Sequence, residues 1–157
     1  MQHLSSLSIK ETILALFSAL QSKGCSEIVG RTKIQKMFFL LISDFGSDVD
    51  FDYRLYTYGP YSDRLQQGLD ELVFFKSIRE RVEDKLTYRQ YGYSLTTKGK
   101  ILGRRIFERL DSASKHRLED IADKMIELQG LALNQIIKRA YEAWADSNLK
   151  NKTNISA

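Results

Sequence analysis

The period at which apolar residues recur changes along this chain from that of a helix to that of a strand and back, and this succession restricts the fold more than any single residue does. Ile9, Ile13, Leu16, Phe17 and Leu20 lie on one helical stripe, and Ser8 with Glu11 forms a capping box ahead of it. The spacing predicts a first helix from about Ile9 to Ser22, ended by Lys23-Gly24. A second helix, capped by Thr32, carries Ile34, Met37, Phe38 and Leu41 on one stripe, with Phe39, Leu40 and Ile42 filling much of the remainder. A helix apolar nearly all round belongs at the centre of a core, and this one is expected to run until Gly46 breaks it.

From Phe51 the period becomes two, with Phe51, Tyr53, Leu55 and Thr57 pointing one way and Asp52, Arg54, Tyr56 and Tyr58 the other. That pattern predicts a half-buried strand or extended arm, ended by a turn at Gly59-Pro60, where the only proline fixes its own φ. Ser62 then caps a third helix with Leu65, Leu69, Leu72 and Val73 inward. A hairpin follows, from Ser77 to Val82 and from Tyr88 to Leu95, with Glu83-Asp84-Lys85 at its tip. Thr96 or Thr97 caps a fourth helix lined by Leu102, Ile106 and Leu110. Two more amphipathic helices carry Leu118, Ile121, Ala122, Met125 and Leu128, then Leu133, Ile136, Ile137, Ala140, Tyr141 and Trp144.

The order helix, helix, extended segment, helix, hairpin is the connectivity of a winged helix. The fold class expected is therefore α+β, mostly helical: a winged helix-turn-helix core over residues 1–110, a C-terminal helical hairpin over 111–148, and a disordered tail over 149–157. Apolar faces must be covered, so the two C-terminal stripes are expected to pair with those of a second chain in a symmetric homodimer.

Charge narrows the partner. The formal net charge of +4 is concentrated between Thr96 and Arg117, where Lys and Arg outnumber Asp and Glu, while the remainder nearly balances. The longest apolar run, Met37 to Ile42, is far too short to cross a bilayer, and residues 1–20 lack the pattern of a signal peptide; a cytoplasmic protein with no membrane partner is expected. The single Cys25 has no second thiol and is expected to be idle. His3 and His116 have no metal-ligand partner at helical spacing, and nucleotide-loop, zincin and nucleophile-elbow patterns are absent. Neither a catalytic residue nor a metal or cofactor is expected.

Two segments, Arg31-Thr32-Lys33-Ile34-Gln35-Lys36-Met37-Phe38-Phe39-Leu40 and Phe51-Asp52-Tyr53 through Tyr58-Gly59-Pro60-Tyr61-Ser62 with Leu65, Leu69 and Leu72 beyond it, resemble a known pattern. It is similar to that of the YwgA-like proteins of bacteria and archaea and, more distantly, of the SocA-like Panacea domains of antitoxins. Tyr93-Ser94-Leu95-Thr96-Thr97-Lys98-Gly99 resembles the strand-to-helix junction of winged-helix regulators. The Panacea likeness implies a role in neutralising a toxin, hence a protein partner.

Four groups of side chains are candidates for contact. In a winged helix the third helix enters the major groove, which nominates Ser62, Arg64, Gln66 and Gln67 as base or phosphate readers, against the opposing charge of Asp63, Asp70 and Glu71. The hairpin offers Arg79, Arg81, Lys85 and Arg89 to phosphates, and the fourth helix offers Lys98, Lys100, Arg104, Arg105 and Arg109. Arg31, Lys33, Gln35 and Lys36 are read as the solvated edge of a core helix, with Gln35 bonding to the Gly59-Pro60 turn. The expected function is a DNA-binding, dimeric transcription regulator acting on double-stranded DNA; the alternative is a protein-interaction module of antitoxin or adaptor type.

Overall fold

The computed structural model describes residues 1–46 and 50–155, with side chains described as far as residue 147. After a 3₁₀ turn at Leu4–Ser6 come α1 (Ile9–Ser22), β1 (Ile28–Val29), α2 (Arg31–Leu40), α3 (Ile42–Phe45), β2 (Arg54–Tyr56), β3 (Gly59–Tyr61), α4 (Asp63–Phe74), β4 (Ile78–Asp84), β5 (Arg89–Leu95), α5 (Thr97–Arg109), α6 (Ser112–Gln129) and α7 (Leu133–Ile155). The architecture is α+β and mostly helical. One antiparallel sheet has the order β1-β5-β4, and β2 pairs with β3 in a separate two-stranded ribbon.

Helix α1 forms where the capping box predicts it: the Glu11 N–H donates to Ser8 Oγ at 3.2 Å and the Ser8 N–H to Glu11 Oε1 at 3.1 Å. Ile13, Leu14, Ala15, Leu16, Phe17, Ala19 and Leu20 are all buried, because α4, α5 and α6 each lie against this helix. Its contact with α5 is close. Gly103 leaves room there, since a Cβ would stand 2.6 Å from the Leu14 carbonyl oxygen, and Gly99, one helical turn earlier, does the same for the α4–β4 connection, where a Cβ would stand 1.9 Å from the Ser77 carbonyl oxygen. Only a hydrogen fits at either place. Thr96 caps α5 by accepting the Gly99 N–H at 3.1 Å.

Helix α2 is buried all along Ile34 to Phe39, as its composition implies, but its ends differ from expectation. It begins at Arg31 with Gly30, at φ 103°, in the cap position and no side-chain cap; Gly30 is placed there by its N–H bond to the Tyr91 carbonyl at 2.7 Å. The two-residue strand β1, which brings Gly30 to β5, is too short to show a period in the sequence. The helix closes at Leu40 rather than Gly46, and α3 follows. Phe38, Phe45 and Phe51 then meet: Phe38 stacks on Phe45 at 5.4 Å, and Phe51 meets both edge-on.

The alternation from Phe51 to Tyr58 holds only for its first half. Phe51 is buried and Tyr53 half-buried, whereas Leu55 is exposed, and just Arg54–Tyr56 is strand. Gly59-Pro60 is not the turn. It lies in β3, with Leu55 opposite Pro60 and Tyr56 opposite Gly59, and the chain reverses at Thr57-Tyr58. A two-stranded ribbon tolerates proline because the outward edge needs no donor. The larger hairpin is also longer than its apolar pattern suggests, pairing as far as Asp84 with Arg89 and turning over Lys85 to Tyr88.

The stripe of α6 is covered within the chain, and that of α7 in part. Leu118, Ile121, Met125 and Leu128 join the same buried cluster as α1, and α6 runs along α1 and α3, while α7 runs along α2 and β3 with Ile136 and Ala140 buried. This removes for α6 the premise on which a dimer through these faces was expected, while Leu133 and Tyr141 of α7 stay exposed. The backbone of residues 149–155 continues α7; residues 156–157, also assigned to a tail, lie outside the described residues.

Candidate functional site

The two segments that carry the family resemblance meet face to face. Gln35, from the inner side of α2, donates its Nε2 to the Ser62 carbonyl and accepts the Ser62 N–H on Oε1, both at 2.9 Å. One residue on, Lys36 Nζ donates to the Pro60 carbonyl at 2.8 Å. Tyr53 adds its hydroxyl to the Gln35 carbonyl at 3.2 Å. Gln35 and Lys36 are not a solvated edge: their exposures are 0% and 1%. The expected link to the Gly59-Pro60 segment exists, but Lys36 makes it, and Gln35 reaches the start of α4 instead. The register of β3 and α4 on α2 is thus fixed by side-chain bonds to backbone groups that a short ribbon leaves unpaired.

Beside this junction α2, the β2–β3 ribbon and α4 enclose an open cleft of about 410 Å³. Tyr56, Tyr58 and Tyr61 supply its aromatic wall, Arg31 and Lys36 its cations, and Thr32 and Gln66 further polar groups. Tyr56 and Tyr61 meet edge-on at 5.5 Å, and Lys36 Nζ stands 5.7 Å from the Tyr61 ring centre. Tyr141 of α7 braces the ribbon by donating its hydroxyl to the Thr57 carbonyl at 2.9 Å. Among the described residues no carboxylate lies within 4.0 Å of Lys36 Nζ, and burial pushes its pKa down to about 8. Arg31 lies 4.5 Å over the Tyr91 ring and reaches Asp70 at 3.7 Å.

The residues expected to contact DNA divide into several states. Ser62 is a correction: fully buried, it accepts the Leu65 N–H at 3.0 Å as the cap of α4 and donates to the Phe51 carbonyl, so its hydroxyl has no access to a base. Arg64 is exposed and pairs with Asp50 at 3.1 Å. Gln66 donates to Asp70 at 3.0 Å and Gln67 to Glu71 at 3.2 Å, and Glu71 also pairs with Lys10 at 2.9 Å, so Asp63 and Asp70 are the carboxylates left outward on α4.

On the hairpin, Arg81 is held by both oxygens of Glu27, at 3.0 and 2.9 Å, and by Glu83 at 2.9 Å, so the Glu27 carboxyl sits below its ordinary pKa through the Arg81 hydrogen bonds. Lys85 pairs with Glu83 and Arg89 with Asp84. On α5, Lys98 donates to the Phe75 carbonyl at 2.9 Å and Arg104 to Glu108 at 3.0 Å. Arg79, Lys100, Arg105 and Arg109 are exposed and have no ion pair among the described residues.

Elsewhere, Cys25 is half-buried, its thiol pushed up in pKa by burial and directed at the Glu27 carbonyl at 3.6 Å. No group of three metal-ligating side chains occurs among the described residues, and no helix among them is long and apolar enough to cross a membrane. The tyrosine-lined cleft is the feature that sequence reasoning missed. Its signal was present in Tyr56, Tyr58 and Tyr61, but an alternating pattern assigns these to a surface, and only the reversal at Thr57-Tyr58 folds them against Arg31 and Lys36.

No family model matches the chain. Over 76 residues it is 40% identical to the uncharacterized protein YwgA of Bacillus subtilis (strain 168), a match that covers 46% of this chain and 43% of that protein. The chain thus spans under half the length of the curated relative it matches, and the match supports a YwgA-like family.

Proposed function

We propose that this chain is a binding module of winged-helix type whose partner is a protein, docked on the outward face of α4. The observation that carries this reading is the chemistry of that face. Asp63 and Asp70 stand where a DNA-reading helix would need donors, Glu71 beside them is held by Lys10 at 2.9 Å, and the amides of Gln66 and Gln67 are already engaged by Asp70 and Glu71. Phosphates would be repelled by it; a cationic segment of a protein would not. At the end of the same helix Phe74 and Phe75 are 78% and 59% exposed, and pack edge-on to each other at 5.2 Å. Exposed aromatic rings beside a charged rim are what protein interfaces are built around. The connectivity α1, β1, α2, α4, β4, β5, with sheet order β1-β5-β4, supports the winged-helix reading.

The test is site-specific photo-crosslinking in the native cell from position 74 and, separately, from position 105. A defined protein joined at position 74, whose purified form binds the wild-type chain and loses at least about tenfold in affinity on Asp70→Lys or Phe74→Ser, is the expected result. Nucleic acid joined at position 105, with no protein at 74, overturns it.

A second reading, double-stranded DNA held by α5 and the hairpin in the manner of a transcription regulator, is favoured by one observation: Arg79, Lys100, Arg105 and Arg109 are exposed cations without ion pairs among the described residues. It is supported if the chain binds random duplex at low salt with a strong salt dependence.

A further inference from the structure

Burying an ammonium group is costly unless an anion or several acceptors replace its water. Lys36 is 1% exposed, yet among the described residues its Nζ has one hydrogen-bond acceptor, the Pro60 carbonyl, and no carboxylate. Two of its three donor positions are therefore unmatched by protein groups, at a point that lines the cleft between α2, the β2–β3 ribbon and α4. Arg31 brings a second cation to the same wall. Its guanidinium is held over Tyr91, and its one carboxylate contact, Asp70 at 3.7 Å, is long for a charge-assisted bond. Fixing the register of β3 cannot be the whole reason for Lys36, because a neutral donor would serve the Pro60 carbonyl without the charge.

The shape of the cleft limits what fits against these cations. Tyr56, Tyr58 and Tyr61 offer ring faces and edges for a flat group, and a volume of about 410 Å³ suits a small molecule rather than a chain segment. Asp63, which accepts from the Tyr56 hydroxyl, and Asp70 stand at the rim and oppose a polyanion. The geometry points to a binding site for a small planar aromatic molecule carrying a single negative charge, a carboxylate in the first instance, with its anionic head on Lys36 and Arg31 and its ring against Tyr56 and Tyr58. The site adjoins the proposed protein-docking face on α4, with Asp63 and Asp70 at their common rim, but is defined by Lys36, Arg31, Tyr56 and Tyr58, which that face does not use.

The experiment is a titration of the purified full chain, followed by calorimetry and by the shift in melting temperature, with 2-naphthoate, its uncharged amide 2-naphthamide, adenosine monophosphate and adenosine triphosphate. Binding of 2-naphthoate, weaker by about tenfold or more for the amide and weaker again for the triphosphate, is expected. Arg31→Met and Tyr58→Ala, both changes at the wall rather than in the core, should each lower the 2-naphthoate affinity several-fold, and Lys36→Met should abolish it. Equal binding of acid and amide overturns the assignment, as does tighter binding of the triphosphate, or an affinity unchanged by Arg31→Met. Absence of any shift with 2-naphthoate up to about 5 mM overturns it as well. Should Lys36→Met fail to fold, the Arg31 and Tyr58 variants and the amide comparison decide alone.

Discussion

Replacing Lys36 by Met should change how the stability of this protein depends on pH, and the sign follows from the direction of the pKa shift. Burial pushes the Lys36 ammonium down to about 8 from the ordinary 10.5. Between those values the unfolded chain holds a proton that the folded chain releases, so stability rises with pH across that window. Below about pH 8 the whole penalty is present, and above 10.5 it vanishes. The interval is worth about 3 kcal/mol, of which about 2 kcal/mol is recovered between about pH 7 and pH 10. Other groups titrate nearby: burial raises the Cys25 thiol and the Tyr53 and Tyr61 hydroxyls, each of which works the opposite way as the pH climbs past its unfolded value, and burial lowers Lys33 in the same sense as Lys36. These contributions are common to both chains and cancel in the difference. Urea unfolding of wild type and Lys36→Met, followed by circular dichroism at half-unit steps from about pH 7 to 10, gives that difference directly. The wild type should gain on the variant by about 2 kcal/mol over the range. A difference that stays flat to within about 0.5 kcal/mol would refute the claim that the ammonium is buried and unpaired.

Gly103→Ala sets a Cβ 2.6 Å from the Leu14 carbonyl oxygen, so α1 and α5 must separate; a loss of about 1–3 kcal/mol in chemical unfolding is expected, against little change for Ala at the open Gly24 beyond the strain of its φ of 87°. Gln35→Leu leaves the Ser62 N–H and carbonyl buried and unpaired, which should cost about 2–5 kcal/mol and slacken the ribbon, visible as faster amide exchange at Ser62. Arg81→Ala removes a pair that is roughly a third exposed on each side, and should change stability little while raising the Glu27 pKa toward its ordinary value, as read by carboxyl NMR titration. Replacing Arg104, Arg105 and Arg109 together by Ala should lower any duplex affinity about equally for all sequences and reduce its logarithmic salt slope by about 0.9 for each phosphate no longer neutralised.

Local signals in the sequence are legible where one turn of chain contains the whole device. The Ser8 and Glu11 box, the Ser62 and Thr96 caps and the stripe of α1 all depend on residues three or four apart, and all stand where the sequence predicts them. What escapes such reading needs partners far along the chain. Strand β1 exists only because β5, a distant segment, lies beside Ile28 and Val29, and the start of α2 follows from it through Gly30. The Gly99 and Gly103 pair is visible as a four-residue spacing, but its meaning requires knowing the neighbours, the Ser77 carbonyl for Gly99 and the Leu14 carbonyl of α1 for Gly103.

The nominated contact residues show the same division from the side of function. Charge counting finds the cations and their near neighbours Glu83, Asp84 and Glu108, which pair with Lys85, Arg89 and Arg104, yet it cannot see that Glu27 and Asp50 come back in space to pair with Arg81 and Arg64. Pairing of that kind neutralises half of the ten nominated cations, chiefly on the hairpin, and leaves Arg79, Lys98, Lys100, Arg105 and Arg109 without an ion pair among the described residues. The converse holds at Lys36. There a charge that composition counts as one cation among 24 is buried without a counter-ion among the described residues, and it is the environment, not the tally, that marks it as a place suited to an anion.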